Sequence, residues 1–185
     1  MEGQKKFSPI TIGLHWIVGL TMITLFFIGV YMAENEVYSL YPWHKSFGVL
    51  IVPFVLARVI WRIKSGWPTP VGQYSKIEQI LAKLTHWVLI SASVLMPVTG
   101  FMFSGASGHG VAVFGWTIAP ENPDPNKLGE VIPFNPLVAN VGHEMHEILG
   151  WIFIAAVALH VVGALKHHVM DKDGTLQRML GKQID

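Results

Sequence analysis

The 185-residue chain has no cysteine. It can therefore form no disulfide, and every metal centre or prosthetic group held by, or attached through, a cysteine sulfur is excluded. Charge is scarce as well. Only 14% of residues are charged against 51% hydrophobic, and the mean hydropathy is +0.45, a balance outside the soluble norm. A formal net charge of +1 offers nucleic acid no electrostatic footing.

What is abundant is long apolar sequence. Four segments run almost without charge, at about residues 10–32, 43–63, 84–104 and 143–168, and each is long enough to cross a bilayer as a helix. The fold expected is all-α: an integral membrane four-helix bundle forming a single transmembrane domain over residues 1–185. The first apolar run is too long for a signal-peptide core and lacks a small-residue cleavage site, so it is expected to stay as the first helix. Trp67-Pro68-Thr69-Pro70 should stop the second helix, and an amphipathic stretch at Ile77, Ile80 and Leu81 should lie at the interface. The long connection from Gly105 to Asn140 is rich in glycine, proline and aromatics, and part of it should fold over the bundle mouth.

Lysine and arginine orient the bundle. Lys5, Lys6, Arg62, Lys64, Lys76, Lys83, Lys166, Lys172, Arg178 and Lys182 fall on one side, whereas Lys45 and Lys127 share the other with Glu34, Glu36, Glu121, Asp124, Glu130 and Glu144. The positive-inside rule then places both termini of this multi-pass protein in the cytoplasm.

Histidine is costly within a bilayer and normally faces a bundle interior or a bound group. His146 and His160 are fourteen residues apart, which returns a helix to within about 40° of the same face after about 21 Å, so one helix presents two imidazoles at two depths. Each has a glycine one turn on, Gly150 and Gly163, and the same holds for His15 with Gly19 and His44 with Gly48. A flat macrocycle lying against a helix collides with a side chain on the next turn, and glycine clears it. Close helix packing through small residues is the competing explanation. Because helix direction alternates, His15 pairs by depth with His160, and His44 with His146. Two bis-histidine haem sites follow, both non-covalent haem b, with no open coordination position and therefore suited to electron transfer.

Other histidines compete. His86 lies at the depth of His15 and is either an alternative ligand or a hydrogen-bond partner of a propionate or quinone. His167 and His168 are interfacial or exchange protons with a quinone; His143 assists a propionate or caps its helix; His109 reads as a loop residue. Arg58, fourteen residues after His44, is a full charge inside an apolar run. It either pairs with a haem propionate or snorkels to the headgroups. Lys45 is placed for an outer propionate or an anionic substrate, with Lys127 as its outer companion. His143-Glu144-Met145-His146 is one residue short of a zinc-protease H-E-x-x-H.

Taken together, Ile12, His15 and Trp16, His44 with Gly48, Arg58, Trp67-Pro68-Thr69-Pro70, His86, Pro97 with Gly100, Phe114-Gly115-x-Thr117, His146-Glu147, Leu159-His160, His167-His168 and Asp173-x-Thr175-Leu176 resemble the bacterial di-haem cytochrome b561 family. Within it they resemble the four-helix, superoxide oxidase-like group. The resemblance implies that His15 and His160 hold an inner haem and His44 and His146 an outer one, with ubiquinone as a partner and His168 near its site. It leaves two functions open. The chain is either a superoxide:quinone oxidoreductase, with Lys45 and Lys127 drawing the anion to the outer face, or an electron carrier between the quinone pool and a periplasmic redox protein.

Overall fold

The computed structural model describes residues 6–184; Lys5, counted above among the orienting cations, lies outside them. Four helical spans form the body. The first, α1 (Pro9–Glu34), begins where Ser8 Oγ accepts the Thr11 N–H at 3.1 Å, with proline at the first helical position, where its missing N–H costs nothing. The second is broken: α2 (Tyr41–Leu50), entered through a 3-10 turn at Tyr38–Leu40, hands over at Ile51 to α3 (Val52–Ser65). Pro53 explains the break, since it lacks an N–H and its ring crowds the preceding turn. The expected stop near Trp67 comes one step earlier, at Gly66 with φ 66°.

The third span, α4 (Lys76–Ala106), opens on a reciprocal capping box between Ser75 and Glu78, so Ile77, Ile80 and Leu81 form its first turns rather than a separate interfacial piece. Their exposures of 71, 65 and 56% leave their apolar sides uncovered by protein. The fourth, α5 (Pro136–Val169), is capped by Asn135 and starts before the expected residue 143. Its 34 residues amount to about 51 Å, so it projects beyond a 30 Å hydrocarbon layer. All four spans are long and apolar enough to cross a membrane.

Val18, Met22, Ile51, Val55, Ala92 and Phe153 form the buried core, while residues such as Phe27, Leu159 and Val162 are more than half exposed. An outside this apolar is what lipid requires. Helices α4 and α5 pack most extensively, and Gly142 is the reason they approach so closely: a Cβ there would lie 2.6 Å from the Phe103 backbone nitrogen.

The long connection contains something the sequence did not announce, an antiparallel hairpin of β1 (His109–Val113) and β2 (Trp116–Glu121). Phe114 and Gly115 turn it with φ 47° and 90°, the both-positive geometry of a tight hairpin turn. It closes one end of the bundle. At the other end the chain termini meet: α6 (Thr175–Met179) folds back so that Met179 O accepts the Trp16 indole N–H at 3.0 Å, and buried Arg178 lies 4.2 Å from the Phe7 ring.

Replacing Gly142 with alanine should push α4 and α5 apart and cost about 1–3 kcal/mol, read as a lowered thermal midpoint in detergent. An unchanged midpoint would show that the crossing relaxes freely.

Candidate functional site

The fourteen-residue spacing extends to every span. Along α1 it links His15 to Gly29, along α2 and α3 His44 to Arg58, along α4 His86 to Gly100, and along α5 His146 to His160. The helices thus build two layers. Nearer the termini stand His15, Arg58, His86 and His160; nearer the hairpin stand Gly29, His44, Gly100 and His146.

In the termini-end layer the His15 and His160 rings are 6.0 Å apart, and in the hairpin-end layer the His44 and His146 rings are 6.2 Å apart. Two imidazoles on opposite sides of one metal, each with a metal–nitrogen bond of about 2 Å, have centres about 6 Å apart. Both pairs fit. His86 is nearer to His160, at 5.1 Å and edge-on, too close for the two to be opposed axial ligands, and its Nδ1 is 2.6 Å from Ala82 O. It is therefore a neighbour of His160 rather than its opposed partner.

Each ring is backed by a residue of the layer. His146 Nδ1 lies 3.0 Å from Met96 O and 3.2 Å from Thr99 Oγ1, the kind of bond that fixes a ligating imidazole's tautomer and leaves Nε2 free. A Cβ on Gly100 would lie 3.0 Å from the His146 ring, and one on Gly29 would lie 3.2 Å from that of His44. Sequence reasoning missed Gly29 and met Gly100 only as part of the Pro97-x-x-Gly100 motif, without a role, although their spacing from His15 and His86 would have placed both. His44 Nδ1 is buried with no hydrogen-bond partner among the described residues. In the other layer Arg58 Nη2 donates to His15 Nδ1 at 3.1 Å.

Three of the glycines chosen from sequence behave as a flat ligand demands. A Cβ on Gly19, Gly48 or Gly163 meets nothing within 4 Å, so the protein's own packing does not require glycine there. Gly150 is buried, and its Cβ would make only ordinary van der Waals contact with Phe26 at 3.6 Å and Met96 at 3.8 Å, so packing within the protein does not demand glycine there either. The His146 Nδ1 bond to a carbonyl, the open glycines and the ring spacings together fit haem.

The hairpin closes over the second layer. Lys45 Nζ donates to His109 O and Gly110 O at 3.2 and 3.0 Å, and Ser46 Oγ accepts the Phe114 N–H at 3.0 Å. Beneath it is a cavity of about 720 Å³ lined by Trp43, Lys45, His109, Phe114 and Glu121 among others. Burial and the nearby Lys45 ammonium push the His109 imidazole below its ordinary value. Lys127 does not line this cavity; it is paired with Glu130 at 3.1 Å on the exposed loop beyond. His143 is half-exposed and rests against Phe103.

At the termini end, His167 is drawn into a clasp, 2.8 Å from Asp171 and 3.5 Å from Asp173, with its ring 4.4 Å from that of Tyr74. Tyr74 donates to Asp173, and Lys166 bridges Asp171 and Glu78. His168 is exposed beside it.

A family model described as prokaryotic cytochrome b561 matches residues 6–182. The chain belongs to that family. It is 30% identical to cytochrome b561 homolog 2 of Escherichia coli K12, covering 96% of this chain and 93% of the relative. It is 27% identical to a probable superoxide oxidase of Yersinia pestis, over 97% of this chain and 98% of that protein. As a cytochrome b561 it is a haem b protein of membrane electron transfer.

The clasp carries a pH dependence. The bond from Lys166 holds the Asp171 carboxyl below its ordinary value; burial pushes Asp173 up, but Tyr74 and Thr175 outweigh it and hold that carboxyl low too. Depressed carboxylates contribute stability that is present above the ordinary carboxylate range and lost as pH falls through it and below. Amide exchange over residues 166–179 should therefore accelerate on acidification, while the middle of α5 stays protected. Uniform exchange along α5 would count against the clasp.

Proposed function

We propose that the protein conducts electrons across the membrane through two non-covalent b haems, one held by His44 and His146 and one by His15 and His160. The observation that carries this reading is the pair of ring spacings, 6.0 and 6.2 Å, in two layers about 21 Å apart along the helices. Bound there, haem supplies one-electron exchange between ferric and ferrous iron. With two imidazoles offered to each haem, the sites would favour electron transfer over oxygen binding. Arg58 supplies the positive charge for a propionate of the termini-end haem, and His86 stands against the His160 ring to fix its orientation.

The basic residues gathered at the termini end support a cytoplasmic position for both termini in a bacterial inner membrane. Ubiquinone is then reduced near that end, where His86, His167 and His168 offer exchangeable protons, and the chain acts as one domain. Electrons enter at the hairpin end. Superoxide as donor is supported by the name of the Yersinia pestis relative and by Lys45 in the hairpin cavity. A periplasmic redox protein is favoured by a different observation: Lys45 is engaged by two carbonyls and Lys127 by Glu130, so both lysines already have partners at an acidic end.

A pyridine haemochrome assay should give two b haems per chain, and His160→Ala should reduce this to one, because the layers share only a helix. One haem in the wild type would sink the two-layer reading. Stopped-flow mixing with superoxide separates the donors. If superoxide is the donor, the hairpin-end haem reduces first, and His44→Ala abolishes superoxide-driven ubiquinone reduction while quinol still reduces the other haem. Reduction no faster than that of an unrelated bis-histidine cytochrome would leave the redox-protein reading.

A further inference from the structure

At the hairpin end, carboxylates outnumber cations. Glu34 and Glu36 follow α1, Glu121 ends β2, Asp124 and Glu130 flank the next loop, and Glu144 lies early in α5; all but Asp124 are exposed. Against them stand Lys45, folded under the hairpin, and Lys127, paired with Glu130.

In the loop between Asp124 and Glu130, Leu128 is fully exposed, at 107%. It is held there by an ordered loop. Asn126 N–H donates to Asp124 Oδ1 at 2.8 Å, Asp124 N–H to Glu130 O at 2.9 Å and Ile132 N–H to Asn122 O at 2.8 Å, with a bridge between Pro123 and Val131. A rigid loop presents its side chain without an ordering cost on binding. Ile132 and Phe134 on the same loop are exposed by 43 and 56%. Lipid is a poor match for the tip, because interfacial anchors are flanked by free lysine and arginine, whereas Lys127 beside Leu128 is already paired with Glu130.

An apolar centre rimmed by one sign of charge is the anatomy of a protein interface with an oppositely charged partner. We infer that the loop of residues 121–134 is the docking surface for a small soluble redox protein with a basic face, which exchanges electrons with the hairpin-end haem. The inference rests on the two-haem reading and names the partner's chemical class. One electron passes per encounter; one centre is oxidised and the other reduced, and no bond or proton changes hands. Attraction between the acidic rim and the basic face accelerates encounter, and Leu128 sets how long it lasts.

The haem-loaded protein in nanodiscs of neutral lipid, reduced with dithionite and desalted, is mixed in a stopped-flow instrument with a ferric, strongly basic c-type cytochrome. The control is the same cytochrome with its surface lysines succinylated. Surface plasmon resonance measures binding separately. The native cytochrome should exchange at least about tenfold faster at low than at physiological ionic strength, and at least about tenfold faster than the succinylated form at low ionic strength. The triple variant Glu34→Gln/Glu121→Gln/Glu144→Gln should lose several-fold in rate with its haem spectrum unchanged. Leu128→Ser should weaken binding and keep the salt dependence. Equal rates for native and succinylated cytochrome, or a flat salt response, would overturn the docking surface. Charge-dependent binding with no electron exchange would instead overturn the two-haem reading and leave the surface standing.

Discussion

Everything in this protein is arranged around the cost of placing an imidazole in a low-dielectric bundle. A buried ring nitrogen needs a partner, and a helix interior offers it little beyond the second lone pair of a carbonyl, as Met96 O does for His146. The answer is layered. Each layer brings two facing rings to the centre and gives the other two helices the task of backing them, Gly29 and Gly100 in one layer, Arg58 and His86 in the other. The fourteen-residue spacing makes this possible, because along a helix it restores the face while changing the depth.

The two layers differ in their polar content, and that difference is functional in our reading. Where glycine backs the rings, the rings lie directly against helix backbone, and the hairpin with Lys45 and Ser46 closes the end above them. Where arginine and histidine back them, the surroundings hold a fixed positive charge and an extra imidazole. An oxidised macrocycle with two propionates is electrostatically different in the two places, and a gradient between such sites gives a wire its direction.

The ends of the bundle serve opposite purposes. The termini end is tied by a network from Glu78 through Lys166, Asp171, His167 and Asp173 to Tyr74, with α6 tucked beneath Trp16. It holds the loop and the tail to the helices that carry the rings. The hairpin end is tied by backbone contacts to helix α2 and leaves its acidic loop facing outward.

Sequence alone determined the four spans, the family, the pairing of His15 with His160 and His44 with His146 by depth, and the unusual position of Arg58. The family came from the resemblance of its motifs, and the rest follow from helical periodicity and hydropathy, which are local and one-dimensional. Tertiary structure decided what depends on neighbours distant in sequence. It placed His86 too close to His160 to oppose it, buried Gly150 against Phe26 and Met96 while leaving Gly19, Gly48 and Gly163 facing open space, and separated Lys45 from Lys127. It also folded a hairpin whose strands are short and whose turn, Phe114-Gly115, carries a residue with positive φ that sequence rules do not expect. The start of α5 at Pro136 rather than residue 143 belongs here as well, since Asn135 caps that helix while its own N–H is tied to Ala106 O at the end of α4. A helix end is fixed by where its unpaired amides find acceptors, and such partners can lie far away in the chain.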